Sequence, residues 1–157
     1  MQIQALRRHP NLIDPIVSTL HDSWGDLPPW ADPAVIRERL MAGATTAPIP
    51  HTLVAVTDQG TLAATGSVKL NELPGHPDKV HWIGEVFVLP AHQGRGLGSR
   101  MTRALTDHAF SQGVPEVFLY TPDQQSLYAR LGWVEVARDV VNDETVSVMK
   151  LARTAGC

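Results

Sequence analysis

Alternating polar and apolar residues in Gln2-Ile3-Gln4-Ala5-Leu6-Arg7 predict a half-buried first strand. The period then lengthens. Ile13, Ile16, Val17 and Leu20 recur at the spacing of one helix face, with Asn11 or Asp14 as N-cap candidates and Pro15 early in the segment, where its missing N–H costs least. A second helix is punctuated by Asp32 as cap, Pro33 at the first position, Ile36 and Leu40 on one face, and Gly43 past the end. Residues 52–57 and 61–69 flank Asp58-Gln59-Gly60, a short hairpin connection. The Pro- and Gly-containing stretch 71–79 reads as a loop before a long strand over 80–89.

A helical run over 100–111 is closed by Gly113 and Pro115, and a strand follows over 116–120. Thr121-Pro122-Asp123-Gln124 has the form of a capping box with Pro at the first helical position, predicting a short helix that runs to Leu131 and stops at Gly132. Residues 133–138 and 145–151 alternate as two last strands, joined through Asn142-Asp143. Strands before, between and after helices imply an α/β (α+β) domain with a mixed sheet, and no internal repeat is visible.

Composition narrows the class. The chain has 157 residues, 43% hydrophobic and 18% charged, which suits one domain spanning 1–157 with a real core. A net charge of −3 without a Lys/Arg run argues against a nucleic-acid partner. The one cysteine, Cys157, is the last residue, so neither an intramolecular disulfide nor a cysteine zinc cluster is available, and a reducing, cytoplasmic setting is expected. Residues 1–10 lack the apolar core of a signal peptide, and no stretch reaches the ~20 apolar residues of a membrane span. The histidines at 76, 81 and 92 are spread over a loop, a strand and a turn, so no metal is expected.

The candidate chemistry lies in His92-Gln93-Gly94-Arg95-Gly96-Leu97-Gly98, between the strand ending near Val88 and the helical run. Alternate glycines let backbone N–H groups approach an anion, and the positive end of a helix dipole converges on the same point, so the segment reads as a phosphate cradle. A P-loop would need a Lys after its second glycine. A dinucleotide fingerprint would need Gly in place of Ser99 and an acidic residue about 20 positions on. What remains is Q-x-x-G-x-G, formed by Gln93, Gly96 and Gly98.

Together with Tyr128-Ala129-Arg130-Leu131-Gly132-Trp133 further along, this motif resembles the GNAT superfamily of N-acetyltransferases, and the order of predicted elements matches over nearly the whole chain. Thr121-Pro122-Asp123-Gln124 and His9-Pro10-Asn11-Leu12 are similar, more narrowly, to the branch that contains the actin N-terminal acetyltransferases. The resemblance implies a mixed, mostly antiparallel central sheet of about seven strands flanked by about four helices and splayed at the cofactor-binding strands. It further implies acetyl-CoA as acyl donor, with the pantetheine arm beside Val86, Phe87 and Val88. The pyrophosphate would be held by Gln93, Gly94, Arg95, Gly96, Leu97, Gly98 and Ser99, with charge from Arg95 or Arg100.

The same resemblance puts a catalytic glutamate at Glu85 and a proton-donating tyrosine at Tyr128. An amine that attacks a thioester directly needs no enzyme nucleophile, but it must lose a proton first. Glu85 is alternatively an outward-facing strand residue, and Tyr128 a core residue with its hydroxyl at the edge. Where many members carry an Asn ahead of the tyrosine, this chain has Thr121; Gln124 either substitutes for it at the cofactor or closes the capping box.

In such a fold the connection between the first two helices walls the acceptor site, which implicates Trp24 and Trp30, with Asp22 and Asp26 nearby. Arg37 and Arg39 either meet an acidic peptide or form a solvated helix face. The acceptor is expected to be a small-molecule amine or a peptide or protein amine, and the competing reading is a non-catalytic acyl-CoA-binding module. Monomer and homodimer both stay open.

Overall fold

The protein is described by a computed structural model over residues 1–154, so Cys157 lies outside the described residues. In chain order the elements are β1 (Gln2–Ala5), α1 (Ile13–Trp24), α2 (Pro33–Gly43), β2 (His51–Val56), β3 (Leu62–Leu70), β4 (His81–Val88), α3 (Leu97–Ser111), β5 (Glu116–Thr121), α4 (Gln125–Arg130), β6 (Val134–Val141) and β7 (Glu144–Ala152). Short 3-10 turns cover Leu6–Arg8, Pro10–Leu12, Pro28–Trp30 and Pro90–His92.

The strands form one seven-stranded sheet in the order β1-β2-β3-β4-β5-β7-β6. Neighbours are antiparallel except β4 and β5, which run parallel and pair only at Trp82↔Phe118. Beyond that point the two strands diverge, which is the expected splay. β2 shows why its residues from Leu53 to Val56 are apolar without alternation. Leu53 and Ala55 pack on the side of α3, whereas Val54 and Val56 pack with Leu6, Ile16, Leu20, Ile36 and Leu40 on the side of α1 and α2. A strand covered on both faces carries no polar alternation.

Several local expectations are corrected. β1 ends at Ala5, because Leu6 turns into a 3-10 turn and is fully buried. Neither Asn11 nor Asp14 caps α1: Leu12 holds the cap position without a side-chain bond, since the turn Pro10–Leu12 runs straight into the helix. Asp32 does cap α2, accepting from the Ala34 N–H at 2.9 Å. Gly43 is the last residue of α2 rather than the one past its end, and a Cβ there would lie 2.2 Å from Thr52 Oγ1. The glycine is needed for contact with β2, not for a turn. α3 begins at Leu97, so the end of the glycine segment forms its first turn. β6 and β7 extend to a two-residue connection in which Asn142 and Asp143 adopt φ of 51° and 64°, the primed hairpin geometry. Among the described residues, no helix is long and apolar enough to cross a membrane.

Candidate active site

β4 leaves regular strand geometry at Glu85. Ser67 faces Gly84 and Thr65 faces Phe87, so Glu85 and Val86 together oppose Gly66. This is a bulge, and Glu85 takes it up at φ 58°, a left-handed conformation uncommon for a residue with a side chain. The bulge re-aims the Glu85 carboxylate, which is only 7% exposed and lies 2.7 Å from Lys69 Nζ and 3.7 Å from Arg39 Nη1. Lys69 also meets Glu72 at 2.8 Å. Burial pulls the Lys69 ammonium down, but the carboxylates of Glu85 and Glu72 outweigh it and hold it above the usual lysine value.

Where β4 and β5 part, a cleft of about 450 Å³ opens. Glu85 and Val86 line it from β4, Tyr120 from β5, Tyr128 from α4, and Trp24 and Trp30 from the α1–α2 side. Residues far apart in sequence, including both proposed proton-transfer groups and both tryptophans, therefore share one wall. The Trp24 and Trp30 rings are 4.9 Å apart, and Phe87 meets Trp24 edge-on at 5.3 Å. Tyr128 packs edge-on against Trp133 at 6.1 Å. Burial raises its phenol above the usual value, the Thr102 hydroxyl beside it opposes that rise, and Asp123 adds to it. The hydroxyl is therefore a proton holder at neutral pH.

The glycine segment sits at the end of β4. Gly94 and Gly96 adopt φ of 79° and 74°, and a Cβ on either would meet nothing within 4 Å. Gly96 is the N-cap of α3 and offers no side-chain cap, so the first-turn amides of Leu97, Gly98 and Ser99 have no partner within the helix. Arg100 N–H makes the first intrahelical bond, to Gly96 O at 3.1 Å. The Leu97 side chain is buried in the core and anchors this turn. Gln93 donates to Val88 O at 3.0 Å, so its side chain ties the segment to the strand end. Arg95 and Arg100 are exposed beside it.

Phe87, Val88 and Gln124 are not among the residues that line the cleft. Phe87 points to the α1–α2 layer, while Val86 and Val88 pack on the α3 side. Only the backbone of Phe87 and Val88 is left to face the splay, where pairing with β5 has stopped. Gln124 is exposed and outside the cleft lining. It does not close a capping box: Thr121 Oγ1 accepts from Gln124 N–H at 3.0 Å, and the side chain that folds back is that of Gln125, which donates to Thr121 O, Pro122 O and Ser147 Oγ. α4 accordingly starts at Gln125.

Three residues of the site escaped the sequence reading, Lys69, Glu72 and Tyr120, and Arg39, weighed there only for an acidic peptide or a solvated face, joins them. Arg37 is exposed and pairs with Asp14, as a solvated face should. Arg39 is different. It lies 4.3 Å over the Trp30 ring, donates to Pro29 O, and its Nε is buried without a partner. The signal was present, because Ile36, Arg39, Leu40 and Gly43 fall on one helix face. The Tyr120 phenol is raised by burial and then by Glu72, with Lys69 opposing and Glu85 adding.

A splayed mixed sheet with an uncapped, glycine-opened helix at the end of the diverging strand sets an anion-binding turn beside a free strand edge. The chain belongs to the Acetyltransferase (GNAT) family, which it matches over residues 14–133. It is 35% identical over 89 residues to glucosamine 6-phosphate N-acetyltransferase 1 of Oryza sativa subsp. japonica, covering 54% of this chain and 54% of that protein. It is 42% identical over 64 residues to a mycothiol acetyltransferase of a Nocardioides species, covering 36% of this chain and 22% of that one. The aligned parts thus span about half or less of those relatives' lengths. Aminoglycoside 6'-N-acetyltransferase complexed with coenzyme A shares the fold, with a TM-score of 0.75, 16% identity and 97% of each chain covered.

Proposed function

We propose that the protein transfers the acetyl group of acetyl-CoA to a primary amine by direct attack of the amine on the thioester. The observation that carries this is the shared cleft, with Glu85 and Tyr128 in its wall where β4 and β5 diverge and β4 leads on to the α3 N-terminus. The chain's groups suit the donor. Uncapped amides and open-faced left-handed glycines fit a pyrophosphate, and the unpaired edge of β4 fits the amide groups of a pantetheine arm. Bound acetyl-CoA supplies an activated thioester carbonyl.

In this reading Glu85 accepts the proton that the attacking amine must lose, directly or through water. As the C–N bond forms and the C–S bond breaks, Tyr128 gives its hydroxyl proton to the departing thiolate. The cleft wall also carries Glu72, Asp123 and Glu144, with aromatic faces from Trp24, Trp30 and Tyr120. Among the described residues no Lys, Arg or His lines it. Such a wall favours a cationic amine and disfavours a phosphorylated acceptor of the kind in the rice relative's name.

The test is release of free thiol from acetyl-CoA across a panel of amines, with product mass confirming acetylation. Amine-dependent release is expected, with Glu85→Gln lowering kcat/KM by about 100-fold. Tight acetyl-CoA binding without amine-dependent release would instead establish the non-catalytic acyl-CoA-binding module.

A further inference from the structure

We propose that Lys69 is a positioning residue for acyl transfer: bridging Glu85 and Glu72 from behind the cleft, it fixes the Glu85 carboxylate on its bulge and acts on the reaction only through Glu85. The proposal rests on the function proposed above. Glu85 and Glu72 both line the cleft, whereas Lys69 does not; it lines a separate pocket of about 220 Å³ that reaches Glu85 from the other side, together with Arg39, Thr52 and Ser67. The ammonium contacts Glu85 Oε1 at 2.7 Å and Glu72 Oε2 at 2.8 Å, and the three side chains are 16%, 7% and 19% exposed.

Two features distinguish this cluster from an ordinary ion pair. Burying three charged groups is costly and by itself is weak ground for stability. In addition, Glu85 is held at φ 58°, a conformation that persists only where the surroundings over-determine it. A strained backbone and a buried counter-ion converge on one carboxylate, and that carboxylate is the one facing the acceptor cleft. Arg39 Nη1, at 3.7 Å, is too far for a direct hydrogen bond to Glu85, while Nη2 of the same guanidinium donates to Pro29 O and the group lies over the Trp30 ring. Lys69 is therefore the cation that sets the position of Glu85.

The experiment is a double-mutant cycle in the full chain, using Lys69→Met, Glu85→Gln and the pair, with acetyl-CoA binding measured for each by titration. Lys69→Met is expected to lower kcat/KM for the acceptor by about 10- to 100-fold while acetyl-CoA affinity stays within about twofold. In the Glu85→Gln background the same change should cost nothing further, because coupled groups are non-additive. Lys69→Arg should recover most of the rate. If Lys69→Met does not fold, Lys69→Gln, which removes the charge and shortens the side chain while staying polar, takes its place with the same expectation. Additive losses, or a wild-type rate for the lysine variant beside an impaired Glu85→Gln, would overturn the positioning role alone. A wild-type rate for Glu85→Gln would overturn the role of Glu85 and this one with it.

Discussion

Replacing Gly96 with aspartate separates the glycine segment's fold from its proposed chemistry. Gly96 sits at φ 74°, ψ 13°, and a Cβ added there meets nothing within 4 Å, so the folded-state cost is conformational and not steric. A left-handed residue other than glycine costs roughly 1–2 kcal/mol, and aspartate is among the residues that tolerate the conformation best. The effect on an anion seated at the α3 N-terminus is larger. A carboxylate about 4 Å from one anionic charge repels it by about 1 kcal/mol in bulk water and about 4 kcal/mol at a near-surface effective dielectric. Loss of CoA affinity should therefore lie between roughly 5- and 1000-fold, greatest at low ionic strength because salt screens the repulsion.

The assay is calorimetric titration with CoA at two salt concentrations, beside urea denaturation. Gly60→Asp is the matched control: Gly60 is also left-handed, at φ 80°, and open to solvent, but lies in the β2–β3 hairpin away from α3. Both variants should lose similar stability, and only Gly96→Asp should lose affinity. Equal CoA affinities for the two would refute the assignment of the anion to this turn.

Tyr128→Phe should lower kcat by about tenfold with little change in the acceptor KM, a modest loss because a thiolate of pKa about 8.5 is already a tolerable leaving group; an unchanged kcat in the thiol-release assay would remove Tyr128 from the proton path. His51, buried and stacked on His108 at 3.8 Å, has its pKa lowered to about 4 by burial, then by His108 and Arg7. Between its unfolded value of 6.5 and about 4 the unfolded chain holds a proton that the native one does not, so stability should fall by up to about 3 kcal/mol as pH drops through that window. Urea titrations at stepped pH should show a shallower fall in His51→Gln, and identical slopes would count against the reading. Gly43→Ala, which in an open helix would stabilise, should here cost about 1–3 kcal/mol by driving its Cβ into Thr52 Oγ1, and Thr52→Ala should relieve it in thermal melts.

The chain's local signals were sufficient wherever a few consecutive residues decide the geometry. Asp32-Pro33 started α2, Asn142-Asp143 turned β6 into β7, and the glycines at 94 and 96 took the left-handed conformations that open α3. Each is set by φ/ψ preference or one short hydrogen bond, which travel with the sequence. Signals of the same length failed where a distant contact overrode them. Leu6 left the strand pattern for the core, Gly43 served a contact with Thr52, and Gln125 displaced Gln124 because Ser147 of β7 stands within reach.

For the site, the sequence by itself supplied the cradle, Glu85, Tyr128 and the two tryptophans as candidates, through motif and order of elements. Only the tertiary structure decided that Glu85, Tyr128, Trp24 and Trp30 share one cleft, since that depends on β4 and β5 running parallel and parting after Trp82. It alone decided that Lys69, Glu72 and Arg39 surround Glu85. Their charges come from the end of β3, the loop after it and α2, and no local pattern records which buried carboxylate a cation will meet. Electrostatic partnership is a property of position in space, and this chain fixes it through sheet order and the bulge at Glu85.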